Sequence, residues 1–308
     1  MTILVNHVMS SDVKSGIFTD LLDYYRRFCD DDIRIIDSER PINHADLYHY
    51  HRAHLEKKLR KKSIVTVHHD LCDTDEWLQY EKFHDRYAEA KLVLCLNKTQ
   101  QDFLYTKNIK HTKLIPHGYN PEVFRYEYNS KPMDEKLTIG ILSKRYGRKV
   151  KGEAYLLELM KRLDSRVIRF VFVGEGRTIS SQKATSLGFE TRCYEYLPYY
   201  CFGDLYRKLN FLLVASLFEG GPANIPEAIS SATPIITTPI GMAKDYVEDG
   251  VNGIILSGDV DLDAENINRF SNKSEYLSLF KGALERRNSA MSWCDVMKLT
   301  SEYYRAII

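Results

Sequence analysis

The sequence has no strong excess of charge of either sign, and this lack narrows the function classes. Its 308 residues carry 43 Lys and Arg against 42 Asp and Glu, which gives a formal net charge of +1 at pH 7. Proteins that coat nucleic acids usually carry a pronounced basic excess. The balance therefore argues against wholesale nucleic-acid binding and leaves only local basic stretches to consider.

The sequence also lacks paired cysteines and long apolar runs. Its six cysteines never form a Cys-x-x-Cys pair, which favours reduced thiols over a disulfide framework or a zinc site. No window approaches the roughly 20 apolar residues of a membrane span. The start, MTILVNHV, has neither a basic leader nor a long apolar core. We therefore expect a cytoplasmic protein.

Short β-rich runs and helical patterns alternate along the chain, and this alternation predicts an α/β protein with parallel sheets. Helical patterns include 17–28, 74–89 and 153–163, and the polar segment 126–135 is typical of a linker. Six strands are predicted before that linker, at 3–8, 33–37, 47–50, 64–68, 92–96 and 114–116. Five more are predicted after it, at 137–142, 170–174, 211–216, 235–238 and 253–256. Two doubly wound domains joined by a hinge follow from this order.

Two glutamates flank a sharp turn in LFEGGPANIPE, residues 217–227. Glu219 follows a predicted strand, and ligands of such sheets collect beyond the carboxyl ends of the strands. Pro226 suits the first position of a helix, which places Glu227 in the first turn. One carboxylate there can accept both hydroxyls of a ribose, and the other can accept hydroxyls of a hexose. Alternatively, Glu227 complements the helix dipole and Glu219 is a solvated charge.

A cationic turn, SKRYGRKVKG at 143–152, precedes the helix predicted from about residue 153. Its cations are Lys144, Arg145, Arg148, Lys149 and Lys151. Because cations at a helix N-terminus oppose the helix dipole, we expect an anion to offset them. A diphosphate fits, since Arg offers bidentate contacts and Lys offers a point charge. A solvated basic loop is the alternative.

Taken together, these segments resemble the retaining glycosyltransferases of family four, the glycosyl transferases group 1. The most specific part runs from Glu219 through Glu227 to the loop around Gly241. FVFVGEG at 170–176, IPHGYNPEVF at 115–124 and the ending that contains Trp293 are also similar to family segments. The resemblance covers most of the chain. It implies the GT-B fold, in which two Rossmann-like domains face a central cleft and a C-terminal helix crosses back to the N-terminal domain. The expected boundaries are 1–131, 132–290 and 291–308.

The resemblance also implies a function, which is transfer from a nucleotide sugar with retention of the anomeric configuration. No metal or other cofactor is expected, a UDP-sugar is favoured over a GDP-sugar, and the acceptor is a saccharide or a lipid-linked molecule. The implied catalytic residues are His68, Glu219, Arg145 and Lys151, and His69 is the alternative to His68. Glu227 is expected on the ribose, Glu219 on sugar hydroxyls, and Arg145 with Lys151 on the diphosphate. The implied donor-binding residues are Gly16, Arg145, Lys151, Glu219, Gly220, Gly221, Ala223, Asn224, Glu227 and Leu197.

Two positions depart from the family pattern. Ser15 precedes Gly16 where the family usually has paired glycines, and Pro222 lacks the N–H that a backbone contact would require. These departures favour a non-catalytic glycosyltransferase-like binding module as one alternative function. A GT-B sugar-nucleotide epimerase is the other alternative.

Three further signals have competing interpretations. His49, His51 and His54 form an HxHxxH pattern that suits metal ligands, but no acidic or cysteine partner is identifiable in the sequence. The Asp-Thr-Asp triplet at 73–75 is interpreted as a helix cap. The basic stretch 52–63 is predicted to be helical, and either contacts anionic membranes as a peripheral partner or forms a solvated face.

Overall fold

The computed structural model describes residues 2–9, 16–127, 135–148 and 150–308. Contacts divide the chain into two compact units. The first unit comprises Met1–Gly118, Glu219–Pro222 and Met291–Ile308. The second comprises Tyr119–Phe218 and Ala223–Ala290. Each unit contains one six-stranded parallel sheet with helices, which confirms the α/β prediction.

The sheet of the first unit has the strand order β2-β1-β3-β4-β5-β6. Its strands are β1 Ile3–Val8, β2 Ile33–Ser38, β3 Leu47–Tyr50, β4 Ser63–Val67, β5 Leu92–Cys95 and β6 Thr112–Leu114. Strands β3, β4 and β5 are buried along their whole length. This burial is expected of a parallel sheet, which is covered on both faces.

Four α-helices of the first unit are α1 Gly16–Phe28, α2 His84–Glu89, α3 Lys98–Thr106 and α11 Trp293–Ile307. Helix α11 begins with a capping box, in which Ser292 and Asp295 satisfy each other's backbone N–H groups. Trp293 stacks on Tyr24 of α1 with ring centroids 4.9 Å apart. The end of the chain is therefore built into the unit that contains its beginning.

The sheet of the second unit has the order β12-β11-β10-β7-β8-β9. Its strands are β7 Leu137–Leu142, β8 Ile168–Val173, β9 Glu190–Tyr194, β10 Phe211–Val214, β11 Ile235–Thr237 and β12 Gly253–Ile255. The α-helices are α4 Glu153–Met160, α5 Arg177–Ser186, α6 Phe202–Lys208, α7 Asn224–Ser230, α8 Ala243–Tyr246, α9 Val260–Arg269 and α10 Lys273–Glu285. The core is apolar, with Ile139, Phe170, Phe172 and Phe211 at its centre. The sequence analysis missed β9, whose residues alternate between exposed and half-buried.

The helix predicted at 74–89 is wrong over its first half. Only Tyr80–Lys82, a 3-10 turn, and α2 are helical there. The Asp73 carboxylate accepts the N–H of Asp75 at 2.9 Å, and the Asp75 carboxylate accepts the N–H of Trp77 at 2.9 Å. These side chains form local turns that compete with a helix, so Asp73 and Thr74 do not cap one.

The basic helix predicted at 52–63 is also wrong. Its only helical part is the 3-10 turn Ala53–Leu55. Leu59 is buried in the core, whereas Leu55 is 55% exposed, so the two leucines do not form one apolar face. The Tyr50 hydroxyl accepts the N–H of Arg60 at 3.2 Å and helps to fix this irregular path.

Two other features bear on the sequence predictions. Ser15, Lys149 and the linker residues Asn129, Lys131 and Pro132 lie outside the described residues. Within the described parts of the chain, none of the helices combines the length and the apolar content needed to cross a lipid bilayer.

Candidate functional site

Glu227 lies in the first turn of α7, as the sequence predicted, although this helix begins at Asn224 rather than at Pro226. The Tyr206 hydroxyl lies 3.2 Å from Oε2 of Glu227 and 3.3 Å from the carbonyl oxygen of Asn224, and it can donate to both. Tyr206 is fully buried, with Phe124 edge-on to its ring at 5.4 Å. The Tyr206 hydroxyl therefore restrains the position of the Glu227 carboxyl group.

Burial raises the pKa of Glu227 to about 8, and the hydrogen bond from Tyr206 lowers it only in part. A carboxyl group with this pKa is largely protonated at neutral pH. A ligand whose hydroxyls donate to it would favour the ionised form, since hydrogen bonds to the charged form lower a pKa. Glu227 is thus suited to accept hydroxyl groups, with its ionisation linked to binding.

The amide of Asn224 connects α7 to the end of β7. Its Nδ2 donates to the carbonyl oxygen of Leu142 at 3.3 Å. Its Oδ1 is buried and has no hydrogen-bond partner among the described residues. Because a buried polar atom is costly when it is unpaired, this oxygen suits a donor group of a ligand.

The cationic loop after β7 is fixed by close backbone contacts. Gly152 has φ +71°, and a Cβ there would lie 1.8 Å from the carbonyl oxygen of Ala215. The N–H of Leu217 donates to the carbonyl oxygen of Val150 at 2.8 Å. The loop therefore lies against the end of β10, and glycine is required at 152 both for its conformation and for space.

Arg177, which the sequence analysis missed, ties the same loop to the start of α5. It is completely buried, and its Nε and Nη2 donate to the carbonyl oxygen and hydroxyl of Ser143 at 2.6 and 2.9 Å. Burial lowers the pKa of Arg177, and the Glu153 carboxylate opposes that shift. A buried arginine that anchors a loop carries no local sequence signal. Only its position after Gly174-Glu175-Gly176 indicates a role.

The N-terminus of α5 is already occupied by a carboxylate from the same chain. Glu195 accepts the N–H groups of Gly176 at 2.5 Å and Thr178 at 2.6 Å. The hydrogen bond from the Thr178 side chain and these two backbone bonds lower the pKa of Glu195. These are the donors that a dinucleotide phosphate would use at such a turn. The Gly-Glu-Gly sequence therefore has a structural use in this protein.

The cations of the loop are arranged around an exposed aromatic ring. Lys144 Nζ lies 4.8 Å and Lys151 Nζ lies 5.4 Å from the ring centre of Tyr146. Arg145 is only half-buried, and its backbone N–H donates to the carbonyl oxygen of Glu175 at 2.8 Å. The predicted pair Arg145 and Lys151 thus belongs to a braced, positively charged loop.

Leu197 lies after β9 and lines a cavity of about 500 Å³ that residues of β8, β9 and α6 also line. Tyr194, Arg192 and Arg169 line the same cavity. The second unit therefore contains Arg145, Lys151, Leu197, Ala223, Asn224 and Glu227 of the predicted residues. The first unit contains Gly16, His68, Glu219, Gly220 and Gly221.

The Gly-Gly turn is held by side chains of the first unit. Asn97 Nδ2 donates to the carbonyl oxygen of Gly220 at 2.6 Å, and His117 Nδ1 donates to that of Gly221 at 2.7 Å. A Cβ at Gly220 would lie 2.5 Å from the carbonyl oxygen of His68. The turn therefore lies against the His68 backbone, and the adjacent Glu219 is half-buried.

The backbone that carries His68 is secured by Gln100. Its Nε2 donates to the carbonyl oxygens of Val67 at 3.2 Å and His69 at 2.8 Å. Its Oε1 accepts the N–H of Leu96 at 2.7 Å. Gln100, Asn97 and His117 were not found from the sequence, because their partners lie far away along the chain.

Gly16, one of the predicted donor-binding residues, is the first residue of α1.

His68 and His69 have different surroundings. His69 is 6% exposed and packs against Phe83, with ring centroids 4.2 Å apart, whereas His68 is only partly buried. Nδ1 of His51 lies 2.8 Å from Nε2 of His68. His68 is therefore the better candidate of the two for contact with a ligand.

The histidine pattern at 49–54 is reorganised by the fold. His7, not His54, joins His49 and His51, and their ligand atoms all lie within 4.8 Å of one another. His54 instead packs against Phe83 at 4.2 Å. Both ring nitrogens of each clustered histidine already have a hydrogen-bond partner, so a metal ion would have to replace these bonds. The donor set therefore does not fit a metal site.

Comparison with known proteins identifies the fold and a family likeness over part of the chain. Residues 136–273 match the family model described as glycosyl transferases group 1. The structure is similar to sucrose-phosphate synthase from Thermosynechococcus elongatus, with a TM-score of 0.76, 16% identity and coverage of 99% of each chain. It is also similar to Anabaena HepE, crystallised in complex with UDP and glucose, with a TM-score of 0.73, 14% identity and coverage of 99% of this chain and 100% of that one. The chain therefore has the GT-B fold, and its residues 136–273 are similar to the glycosyl transferases group 1.

One curated relative is the uncharacterized glycosyltransferase MJ1178 of Methanocaldococcus jannaschii. The two sequences are 25% identical over 239 residues, which are 72% of this chain and 62% of that protein. The chain thus aligns with less than two thirds of the length of this relative.

Proposed function

We propose that the protein transfers a sugar from a nucleoside-diphosphate sugar to a saccharide or lipid-linked acceptor, with retention of anomeric configuration. The observation that carries this proposal is the arrangement of the second unit. A half-buried carboxyl group, Glu227, follows β10 in α7, and a braced cationic loop containing Arg145 and Lys151 follows β7. These groups match the two chemically distinct parts of a nucleotide sugar, its hydroxyls and its diphosphate.

In this proposal Glu227 accepts the ribose hydroxyls, and Arg145 with Lys151 holds the diphosphate. The two cations stabilise the negative charge that develops as the sugar leaves, which is where such groups contribute most to rate. Glu219 accepts hydroxyls of the transferred sugar, and His68 lies near the reacting carbon. Gly16, Gly220, Gly221, Ala223, Asn224 and Leu197 complete the proposed donor-binding set. The departing phosphate accepts the proton of the acceptor, so no enzyme nucleophile is needed.

A uridine nucleotide is the donor that we favour. HepE, which has the same fold, was crystallised with UDP and with UDP-glucose. The proposed mechanism uses no metal ion.

The test begins with nucleotide binding. Thermal unfolding is measured with UDP, GDP, ADP and their common sugar conjugates, since a ligand at 100 times its Kd stabilises by about 2.7 kcal/mol. We expect a shift with the uridine series that Glu227→Gln removes. Glu265→Gln is the matched control, because Glu265 is an exposed glutamate on α9 of the same unit. No shift with any nucleotide would contradict the donor assignment.

The second measurement separates transfer from the other functions. A transferase releases nucleoside diphosphate only when acceptor is present, and Arg145→Ala should lower kcat by about 100-fold or more. A sugar-nucleotide epimerase would exchange a sugar hydrogen with solvent in the absence of acceptor. A binding module would shift the melting temperature and never release nucleoside diphosphate.

We also propose a peripheral contact with anionic membrane through the basic segment 52–63. Lys57, Lys58, Arg60, Lys61 and Lys62 are all exposed, which supports an electrostatic contact without an inserted helix. Binding to vesicles that contain phosphatidylserine should weaken with salt and should fall when Lys57, Lys58, Lys61 and Lys62 are changed to Glu. Equal binding to neutral vesicles would rule this contact out.

A further inference from the structure

Two lysines from opposite ends of the cationic loop lie over the ring of one tyrosine. Nζ of Lys144 lies 4.8 Å and Nζ of Lys151 lies 5.4 Å from the ring centre of Tyr146. Both distances are within the roughly 6 Å over which an aromatic face attracts an ammonium group. Because Lys144 stands near the start of the loop and Lys151 near its end, the ring connects the two ends.

Backbone contacts fix the loop on both sides of this ring. At its start, a Cβ at Gly174 would lie 2.7 Å from the backbone nitrogen of Lys144, so the residue after β8 packs directly against that lysine. At its end, the carbonyl oxygen of Val150 accepts the N–H of Leu217 at 2.8 Å. The backbones of the two lysines are therefore held in place. The position of each long side chain depends on side-chain contacts, and Tyr146 is the contact that both ammonium groups share.

The partner of Lys144 is a neutral ring rather than a carboxylate. Within the described parts of the chain, Lys144 makes no ion pair, and its ammonium group contacts Tyr146. A carboxylate would neutralise the lysine and repel a phosphate, whereas an aromatic face attracts a cation through its quadrupole and carries no net charge. Lys144 and Tyr146 are both exposed, so an anion in solution can reach them. The positive charge thus stays available to a ligand.

Two ammonium groups that share one ring also repel each other. Each contact with the ring is worth about two- to fivefold in an equilibrium constant at an exposed site, which offsets this repulsion. An anion that bridges two cations replaces their repulsion with attraction. A diphosphate can do so, because its charged oxygens are spread over two phosphorus atoms and each lysine offers three donors. The pair therefore suits an anion with more than one charged group.

We propose that Tyr146 is a positioning residue that holds Lys144 and Lys151 as a charged pair, and that Lys144 binds the diphosphate of the donor as a third cation. This inference rests on the proposed function, which assigns Arg145 and Lys151 to the diphosphate and gives Lys144 no role. The ring itself does not bind the donor. As the sugar leaves, negative charge grows on the diphosphate, so Lys144 contributes to kcat as well as to binding.

The geometry is tested first in the unliganded protein. Protons over the face of an aromatic ring are shifted upfield, so ¹H–¹³C NMR of the lysine ε-methylene groups reports the contact. We expect upfield signals for Lys144 and Lys151 in the wild type, and their return to ordinary positions in Tyr146→Leu. Ordinary positions in the wild type would overturn the role of Tyr146. Because no ligand is used, this result does not depend on the proposed function.

The phosphate contact is tested with Lys144→Met, which keeps an unbranched side chain and removes its charge. Isothermal titration calorimetry uses UDP and inorganic pyrophosphate as probes. We expect the Kd of both to rise about tenfold, as when a hydrogen bond to a charged group is lost, and kcat to fall about tenfold. Lys144→Arg keeps the charge and should stay within about threefold of the wild type. Unchanged Kd values in Lys144→Met would overturn the phosphate role.

The matched control for this charge is Lys183→Met. Lys183 is an exposed lysine on α5 of the same unit. Its substitution removes one positive charge from the unit but not from the loop. We expect the Kd of UDP and of pyrophosphate to stay within about twofold of the wild type. A loss equal to that of Lys144→Met would mean that the net charge of the unit, and not Lys144, determines binding.

The role of the ring is tested by changing its electrons while keeping its shape. Tyr146→Phe should keep the Kd of UDP within about twofold, because the face of the ring and not its hydroxyl contacts the lysines. Replacement of Tyr146 by 3,4,5-trifluorophenylalanine keeps a ring of similar size but removes most of the negative potential of its face. We expect the Kd of UDP to be about threefold higher or more in this variant than in Tyr146→Phe. Equal values would show that the ring only fills space.

The outcomes separate this inference from the proposed function. If Lys144→Met weakens pyrophosphate binding but the wild type transfers no sugar from any donor, the inference stands as a diphosphate site and the transferase assignment fails. If the wild type transfers sugar and Lys144→Met changes neither Kd nor kcat, the inference fails and the assignment stands. If the wild type binds neither UDP nor pyrophosphate, both fail.

Discussion

The two units have similar sheets, but their interiors differ in their content of buried polar side chains. All ten histidines of the chain lie in the first unit, and the second contains none. His7 and His49 pair side by side in β1 and β3, where the corresponding core of the second unit consists of aliphatic and phenylalanine side chains. In the first unit, buried polar side chains position the candidate residues. In the second, close backbone contacts, the buried Arg177 and the Tyr206 hydroxyl do so. One topology can therefore order a site in two ways.

The largest expected difference between the units is their response to acid. Burial lowers the pKa of seven histidines of the first unit, which are His7, His49, His51, His54, His68, His69 and His117. They stay neutral in the folded state, whereas the unfolded chain takes up protons below the ordinary histidine value of 6.5. The free energy of unfolding therefore falls as the pH falls below that value. At pH 5 the loss is about 2 kcal/mol for each histidine that stays neutral.

We therefore expect the first unit to unfold first between pH 6.5 and about 4. Both tryptophans, Trp77 and Trp293, lie in that unit, so tryptophan fluorescence during a pH titration monitors it alone. Amide hydrogen exchange detected by mass spectrometry follows the second unit in the same samples. Earlier loss of protection in the second unit, or an unchanged fluorescence spectrum at pH 4, would contradict the comparison.

The second prediction targets the backbone contacts of the second unit. Gly152→Ala places a Cβ against the carbonyl oxygen of Ala215 at a residue with φ +71°, so we expect a loss of about 3 kcal/mol or more in unfolding free energy. The matched control is Gly147→Ala in the same loop, where a Cβ meets nothing within 4 Å. Urea unfolding of both variants gives the comparison. Equal stability of the two would mean that the loop yields, and that the second unit is not ordered by steric contact.

Much of the second unit could be predicted from the sequence, because its signals are local. The apolar runs gave all but one of its strands, and the glutamate that follows Gly-Gly-Pro was correctly placed in the first turn of α7. Arg177 was missed, since its burial depends on Ser143 of a distant loop.

In the first unit, the prediction of a helix at 74–89 was wrong over its first half. Periodicity does not account for side chains such as Asp73 that form turns with their own backbone.

The buried histidines of the first unit are harder to predict, because their contacts depend on strand register. His49 and His51 are two residues apart, and their rings stack at 4.5 Å. His7 joins them only through the pairing of β1 with β3, and Tyr304 only through the packing of α11. No spacing in the sequence encodes either event.

A third prediction gives the second unit a pH dependence of opposite sign. Burial raises the pKa of Glu227 to about 8 from its ordinary 4.5, so the folded state holds a proton that the unfolded state loses. Its contribution to the free energy of unfolding therefore falls as pH rises from 4.5 to about 8. Glu227→Gln removes this dependence. The unfolding free energy of the variant minus that of the wild type should therefore increase by about 1.4 kcal/mol for each pH unit between pH 4.5 and about 8. Urea unfolding at pH 6 and 7 measures the change. Parallel pH curves for the two proteins would show that Glu227 is ionised in the fold.

The smallest effect is expected at Asn97, whose side-chain amide makes two hydrogen bonds. Its Oδ1 accepts the N–H of Gln100 as the N-cap of α3, and its Nδ2 donates to Gly220. Asn97→Ser keeps a side-chain oxygen for the cap and removes the donor to Gly220, so the free energy of unfolding should fall by about 1 kcal/mol. Amide exchange of Glu219–Pro222 should become faster.

Asn272 provides the control, because it caps α10 and the described structure uses only its oxygen, on Ser274. Asn272→Ser should therefore leave stability within about 0.5 kcal/mol of the wild type. If both serine variants behave alike, the Gly-Gly turn does not depend on the Asn97 amide. The ordering of the first unit by polar side chains would then be restricted to its buried histidines.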